Sequence, residues 1–156
     1  MTTEKPPRRI HGLASTERLD DGRALEFTEL ILPRQANHYG TLFGPNAMAL
    51  LGKAAFLVAA RFTRQPVVMA SARQVEFLAP IPVGSLLNFR ARVTRVGTAS
   101  MSVQVAATFD DAPGAGLREA LRAAFEMVAV DGHGRPCAVS VPSRVQARSF
   151  TAPASL

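Results

Sequence analysis

Apolar and polar residues alternate most cleanly between positions 87 and 109. Leu87, Phe89, Ala91 and Val93 stand against Asn88, Arg90, Arg92 and Thr94; after Val96-Gly97-Thr98 the pattern resumes, with Ala99, Met101, Val103, Val105, Ala107 and Phe109 set against Ser100, Ser102, Gln104, Ala106 and Thr108. A period of two puts one face of each run on a core and the other in solvent, and the glycine-bearing break between them predicts a hairpin. Arg23 to Leu32, mixed in pattern and stopped by Pro33, predicts a first strand. Val67 to Leu78 predicts a long one, followed by the proline-braced connection Ala79-Pro80-Ile81-Pro82-Val83-Gly84, which cannot pair as a central strand. Past the turn cluster at Asp110 to Gly114 two periods compete. Leu117, Ala120, Leu121 and Ala124 have helical spacing in a helix-favouring stretch, whereas Leu121, Ala123, Phe125, Met127 and Ala129 alternate. Asp131 to Gly134 reads as a turn, and Pro136 to Pro142 as a short edge strand bounded by prolines.

One segment breaks this sheet-like pattern. From Ala47 to Ala60 the only charge is Lys53, and many of the side chains are Ala or Gly. A helix apolar all round is expected to be buried, and this run is too short and too interrupted to cross a bilayer. Pro45 suits the first turn, so the helix should begin at about Gly44 and run to about Thr63, where Gln65-Pro66 ends it. A polar, glycine-punctuated loop leads into it, with the spacing Asn37-x-x-Gly40-x-x-Phe43-Gly44.

With 156 residues, 47% of them hydrophobic, the chain suits one domain with a sizeable core. That domain is expected over 23–142, between loose tails at 1–22 and 143–156. The formal charge is +6, from sixteen Arg and only Lys5 and Lys53, which favours an anionic partner. Nucleic acid is disfavoured, because there is no Trp, a single Tyr39 and no basic block interleaved with aromatics. The one cysteine, Cys137, permits no internal disulfide and no metal cluster, so no metal is expected and the cytoplasm is the natural compartment. The basic N-terminus lacks the apolar stretch of a signal peptide.

The loop-to-helix junction resembles the acyl-CoA thioesterases of the hotdog superfamily, whose outline is Asn-x-x-Gly-x-x-Phe-Gly-Gly followed by an apolar helix carrying an acid. Asn37, Gly40, Phe43 and Gly44 fall on that outline, while Pro45 replaces its second glycine. The helix-carboxylate position is held by Gly52, its neighbour by Lys53, and no Asp or Glu lies between Glu29 and Glu76. The resemblance covers about Leu25 to Pro142 and implies an α+β architecture, a curved antiparallel sheet wrapped on one central helix. It also implies that the ambiguous segment is a strand from about Leu121 to Val130.

By the same resemblance, the Gly44 N–H is a donor to a thioester oxygen and Asn37 lines the site. His38, the only histidine near this loop, is the candidate base for water. The bland alternatives are a helix start, an Asx turn and an exposed loop histidine. Phe43 and Gly52 are expected to face substrate, with Arg95, Gly97 and Ser100 as candidates for the phosphates of coenzyme A, which enters only as part of the substrate. No other cofactor is expected. The implied function is binding of an acyl-CoA and hydrolysis of its thioester. The missing helix acid keeps a second reading open, a non-catalytic acyl-ligand binding module or inactive partner subunit, and a dehydratase-type enzyme is a weaker third. Strand edges left bare imply a homodimer or larger homo-oligomer.

Overall fold

The computed structural model describes residues 22–112 and 114–141. Apart from Gly22, the two expected tails lie outside them. The element order is β1 (Ala24–Leu30), a 3-10 turn (Pro33–Gln35), α1 (Gly44–Thr63), β2 (Val67–Phe77), β3 (Leu86–Val96), β4 (Ser100–Asp110) and β5 (Leu117–Ala129). The strands make one five-stranded antiparallel sheet in the order β1-β3-β4-β5-β2. The three-strand meander β3-β4-β5 forms its centre, and the two strands that flank α1 in sequence become the two outer edges. The helix therefore crosses the sheet and touches all five strands. This is the expected α+β layer arrangement.

The alternation sets the core. Phe89, Val93, Val103, Phe109, Phe125 and Met127 point at the helix and are buried, meeting Leu51, Ala54, Ala55, Val58, Ala59 and Phe62. Phe27 of β1 joins this layer by stacking on Phe89, ring centroids 5.1 Å apart. Three alanines on the buried helix stripe, Ala54, Ala55 and Ala59, keep no side chain between helix and sheet beyond a methyl, which lets the layers approach closely.

Three expectations need correction. The helix is buried on one face only. Ala49, Lys53, Phe56 and Leu57 are exposed, because a single sheet can cover only one side of a cylinder. Lys53 reaches sideways to Glu29 of β1, 2.9 Å away, a half-exposed pair worth well under about 1 kcal/mol. Second, β5 begins at Leu117, ahead of the expected start at Leu121, so the stretch with helical propensity is extended. Its register against β4, Leu117 opposite Asp110 and Ala123 opposite Val105, overrides local preference.

Third, residues 136–141 form no strand. Val130 and Pro136 make an isolated bridge, and the N–H groups of Cys137 and Val139 donate to Ala129 and Thr98. Gln65 holds the rest, its Nε2 donating to the Ala138 carbonyl and its Oε1 accepting from the Ser140 N–H. The side-chain amide supplies the hydrogen bonds that a ladder would otherwise give.

Candidate functional site

The loop between β1 and α1 is built by the Asn37 side chain. Its Oδ1 accepts from the Tyr39 N–H at 2.9 Å, the Thr41 N–H at 3.2 Å and the Thr41 hydroxyl at 3.2 Å, while its Nδ2 donates to Thr41 Oγ1 at 3.0 Å. The backbone closes the same turn, Asn37 N–H to the Thr41 carbonyl at 2.8 Å. Gly40 sits within it at φ +74°, a conformation that favours glycine. Asn37 thus makes the Asx turn offered as the bland reading, and keeps one Nδ2 hydrogen unpledged.

Two residues that sequence reasoning passed over fix this loop to the helix. Gln35 accepts the Leu32 N–H on its Oε1 at 2.8 Å, and its carbonyl receives both the Phe43 N–H at 2.9 Å and the Asn46 Nδ2 at 3.0 Å. Asn46 lies in the first turn of α1, so its amide staples the helix start to the 3-10 turn. An Asn immediately after a Pro at a helix start was the only available signal, and it reads equally as a surface residue.

Phe43 is the N-cap, and its side chain gives no cap hydrogen bond. The first-turn N–H groups of Gly44 and Asn46 therefore have no acceptor within the helix, and Pro45 has no N–H to offer. No acidic side chain lies in that turn to neutralise the positive end of the helix. A Cβ added at Gly44 would meet nothing within 4 Å, so the glycine leaves open space rather than making room for this chain's own atoms. Beside it is a cleft of about 280 Å³, lined by Leu42, Ala47, Phe77, Leu78 and Ile81, which is apolar except for the backbone at its rim. Phe43, next to Gly44 in the chain, is exposed. His38 is exposed too, its ring 3.9 Å from that of Tyr39 and partnered by it.

The structure does not bring the other candidates to this place within one chain. Gly52 lies two turns further along α1, about 12 Å from Gly44 at the helical rise. A Cβ added there would come within 3.0 Å of the Met69 Cε on β2, so the room that glycine provides is filled by a methionine. Arg95, Gly97 and Ser100 form the β3–β4 turn, with the Gly97 N–H donating to the Ser100 carbonyl at 2.7 Å. That turn is at the far end of β3 from the loop, roughly 30 Å away at the strand rise.

A larger groove, about 540 Å³, lies on the sheet face away from the helix, between Arg90, Arg92, Gln104 and Arg122. Arg90 and Arg122 are paired there with Glu26 and Glu76. The hydrogen bond with Glu76, then its charge, holds the Arg122 guanidinium above its usual pKa. Size does not make this the reaction site: it is an open surface of mixed charged, amide and small apolar side chains on the sheet face away from the helix, whereas the smaller cleft joins apolar walls to a helix start. Among the described residues no cluster of His, Cys, Asp and Glu could hold a metal, and no helix is long and apolar enough to cross a membrane.

A sheet wrapped on one helix, with an uncapped helix start beside an apolar cleft, defines the hotdog class of acyl-binding proteins. A sequence profile of the thioesterase superfamily matches residues 39–113. An uncharacterized acyl-CoA thioester hydrolase of Zymomonas mobilis is 36% identical over 110 residues, covering 70% of this chain and 74% of its own. Among solved structures, the Staphylococcus aureus acyl-CoA hydrolase in complex with butyryl coenzyme A and coenzyme A superposes with a TM-score of 0.72 at 29% identity, covering 83% of this chain and 87% of that one. A hexameric acyl-CoA thioesterase gives 0.72 at 31% identity, covering 78% of each chain. The chain belongs to the thioesterase superfamily. The staphylococcal enzyme has also been solved as three single alanine variants, of an asparagine, an aspartate and a threonine in that order along its chain.

Proposed function

We propose that this protein binds acyl-CoA and hydrolyses its thioester to a free acid and coenzyme A. The observation that carries the reading is the open, uncapped start of α1 at Gly44 beside the apolar cleft of Phe77 and Leu78. The thioester oxygen sits on the Gly44 N–H, where developing negative charge meets the positive end of the helix. Asn37 holds the loop that aims this donor, and its remaining Nδ2 hydrogen is a second donor. The oxygen of a water adds to the carbonyl carbon, the C–S bond breaks, and the leaving thiolate of coenzyme A takes up a proton from that water. His38 is the one imidazole of this loop and the first candidate to accept the proton in passing. Phe43 guards the mouth, and Arg95 with the Gly97–Ser100 turn takes the phosphates. The only group resembling a cofactor is coenzyme A itself, as part of the substrate. The free thiol of Cys137 fits a reducing compartment such as the cytoplasm.

The active unit is a homodimer or larger homo-oligomer. Within one chain the helix start and the phosphate-side turn lie at opposite ends of the sheet, too far apart for the pantetheine arm of one substrate to join them. Two copies joined edge to edge about a two-fold axis run in opposite directions, which sets one copy's helix start beside the other's far end. The exposed apolar residues agree with this: Val68, Met69, Phe77 and Leu78 lie along or just beyond β2, and Phe56 on the uncovered side of α1 is 47% exposed. Light scattering at micromolar concentration should give a dimer or a multiple of one; a monodisperse monomer would contradict the proposed site.

The function itself is tested by thermal-shift, calorimetric and hydrolysis measurements across acetyl-, butyryl-, octanoyl- and palmitoyl-CoA. Free thiol should be released, and affinity for coenzyme A should weaken as salt rises, because surface phosphate contacts are screened. Stabilisation by ligand without turnover would favour the non-catalytic binding module instead, the reading that Gly52 supports.

A further inference from the structure

The sequence intervals from Asn37 to Gly52 and from Gly52 to Met69 equal those that separate the asparagine, aspartate and threonine varied in the staphylococcal hydrolase. The first of the three positions keeps its residue type in this chain and the other two do not. In the structure the two changed positions are neighbours. Met69 pairs with Met127 across the β2–β5 ladder, on the buried side facing the helix, and its terminal methyl lies against the space that a side chain at Gly52 would need. Met69 is itself 45% exposed, so it lines the surface of the protomer instead of filling its core.

We propose that Met69 is a specificity-determining and positioning residue for the acyl-CoA site, the second half of a paired replacement in which a carboxylate and a hydroxyl give way to a glycine and a thioether. The consequence is chemical. An acid and a hydroxyl would put a proton acceptor and its hydrogen-bond partner at mid-helix. Gly52 and Met69 put there a flat backbone covered by an apolar, polarizable chain, which accepts the hydrocarbon part of an acyl group and repels polar or charged acyl groups. A carboxylate restored at position 52 alone meets the Met69 methyl at its first carbon, so the thioether must turn aside, and its oxygens gain an apolar neighbour where a hydroxyl partner would be needed. The two positions therefore act as a unit, and reverting one does not recover the chemistry of both.

This rests on the acyl-CoA reading, and the experiment separates the two. Wild type, Gly52→Asp, the double variant Gly52→Asp/Met69→Thr and the control Gly52→Ala/Met69→Thr are compared for butyryl-CoA hydrolysis against pH, with thermal shift by coenzyme A as a check of folding and binding. The double variant should gain about 10²-fold or more in kcat/KM over wild type, the usual worth of positioned proton transfer. The gain should appear on a new limb that rises as the introduced carboxyl deprotonates. Gly52→Asp alone should stay within about tenfold of wild type, and the alanine control should lack the limb. If Gly52→Asp alone matches the double variant, Met69 does not occupy the position and the proposal falls. It also falls if the double variant is stabilised by coenzyme A yet gains nothing. If coenzyme A stabilises none of the four proteins, wild type included, the acyl-CoA reading itself fails and the proposal with it.

Discussion

Asn37→Ala should cut acyl-CoA turnover by about 10²-fold, because misplacing an aligned donor by about 1 Å is enough to do so. Three donors converge on Oδ1 of this residue, and their loss frees the turn that leads to Phe43 and Gly44. Asn37→Asp separates loop-building from catalysis. An aspartate keeps the acceptor oxygen for the same three donors, so the melting temperature should stay close to wild type, but it has no hydrogen to give a substrate. Its turnover should remain about 10²-fold down, the lower end of what one directed donor contributes. Wild-type turnover in Asn37→Asp would show that the amide only shapes the loop.

The second large effect concerns stability. Ala54→Asp should leave little folded protein, because Ala54 is fully buried where the helix rests on the sheet. Among the described residues no basic group is part of the core cluster, so the new carboxylate would be desolvated without a partner. Leaving a charge unpaired in such a place costs about 3–5 kcal/mol, a large part of the ~5–15 kcal/mol that holds a domain of this size. Urea titration followed by circular dichroism should show the loss, while Arg61→Ala, exposed on the same helix, should change stability by no more than about 0.5 kcal/mol. A midpoint for Ala54→Asp equal to wild type would mean that the helix is not packed as described.

The meander was readable in the sequence because β3 and β4 each have one wet face and one dry face, and period two is the direct imprint of that. The helix boundaries were readable because Pro45 and Pro66 bracket it. β2 was harder, since its residues are exposed on both sides along most of its length and no alternation is required of them. The start of β5 was misplaced because residues 117–119 are exposed, so burial imposes no pattern there and local propensity speaks alone. Of the candidate site, the loop spacing was visible, but the work of Asn37 within it was not, because an amide that binds its own turn and one that faces a ligand leave the same letter. The contact between Gly52 and Met69 was hidden for another reason. It joins the middle of the helix to the following strand, positions that no local period relates, and only packing makes them neighbours.

The irregularity of β2 bears on what its open edge can pair with. A bare strand at the margin of a sheet is a template for unlimited addition of further strands, the route to fibres. Here the pairing with β5 slips twice, between Met69 and Ser71 and between Arg73 and Glu76, and Gln74 between them takes a left-handed φ of 51°. Such bulges twist the margin out of plane and interrupt the row of donors and acceptors, and Arg73 and Glu76 add charge to it. A strand bent in this way offers no straight rail on which further strands could add one after another.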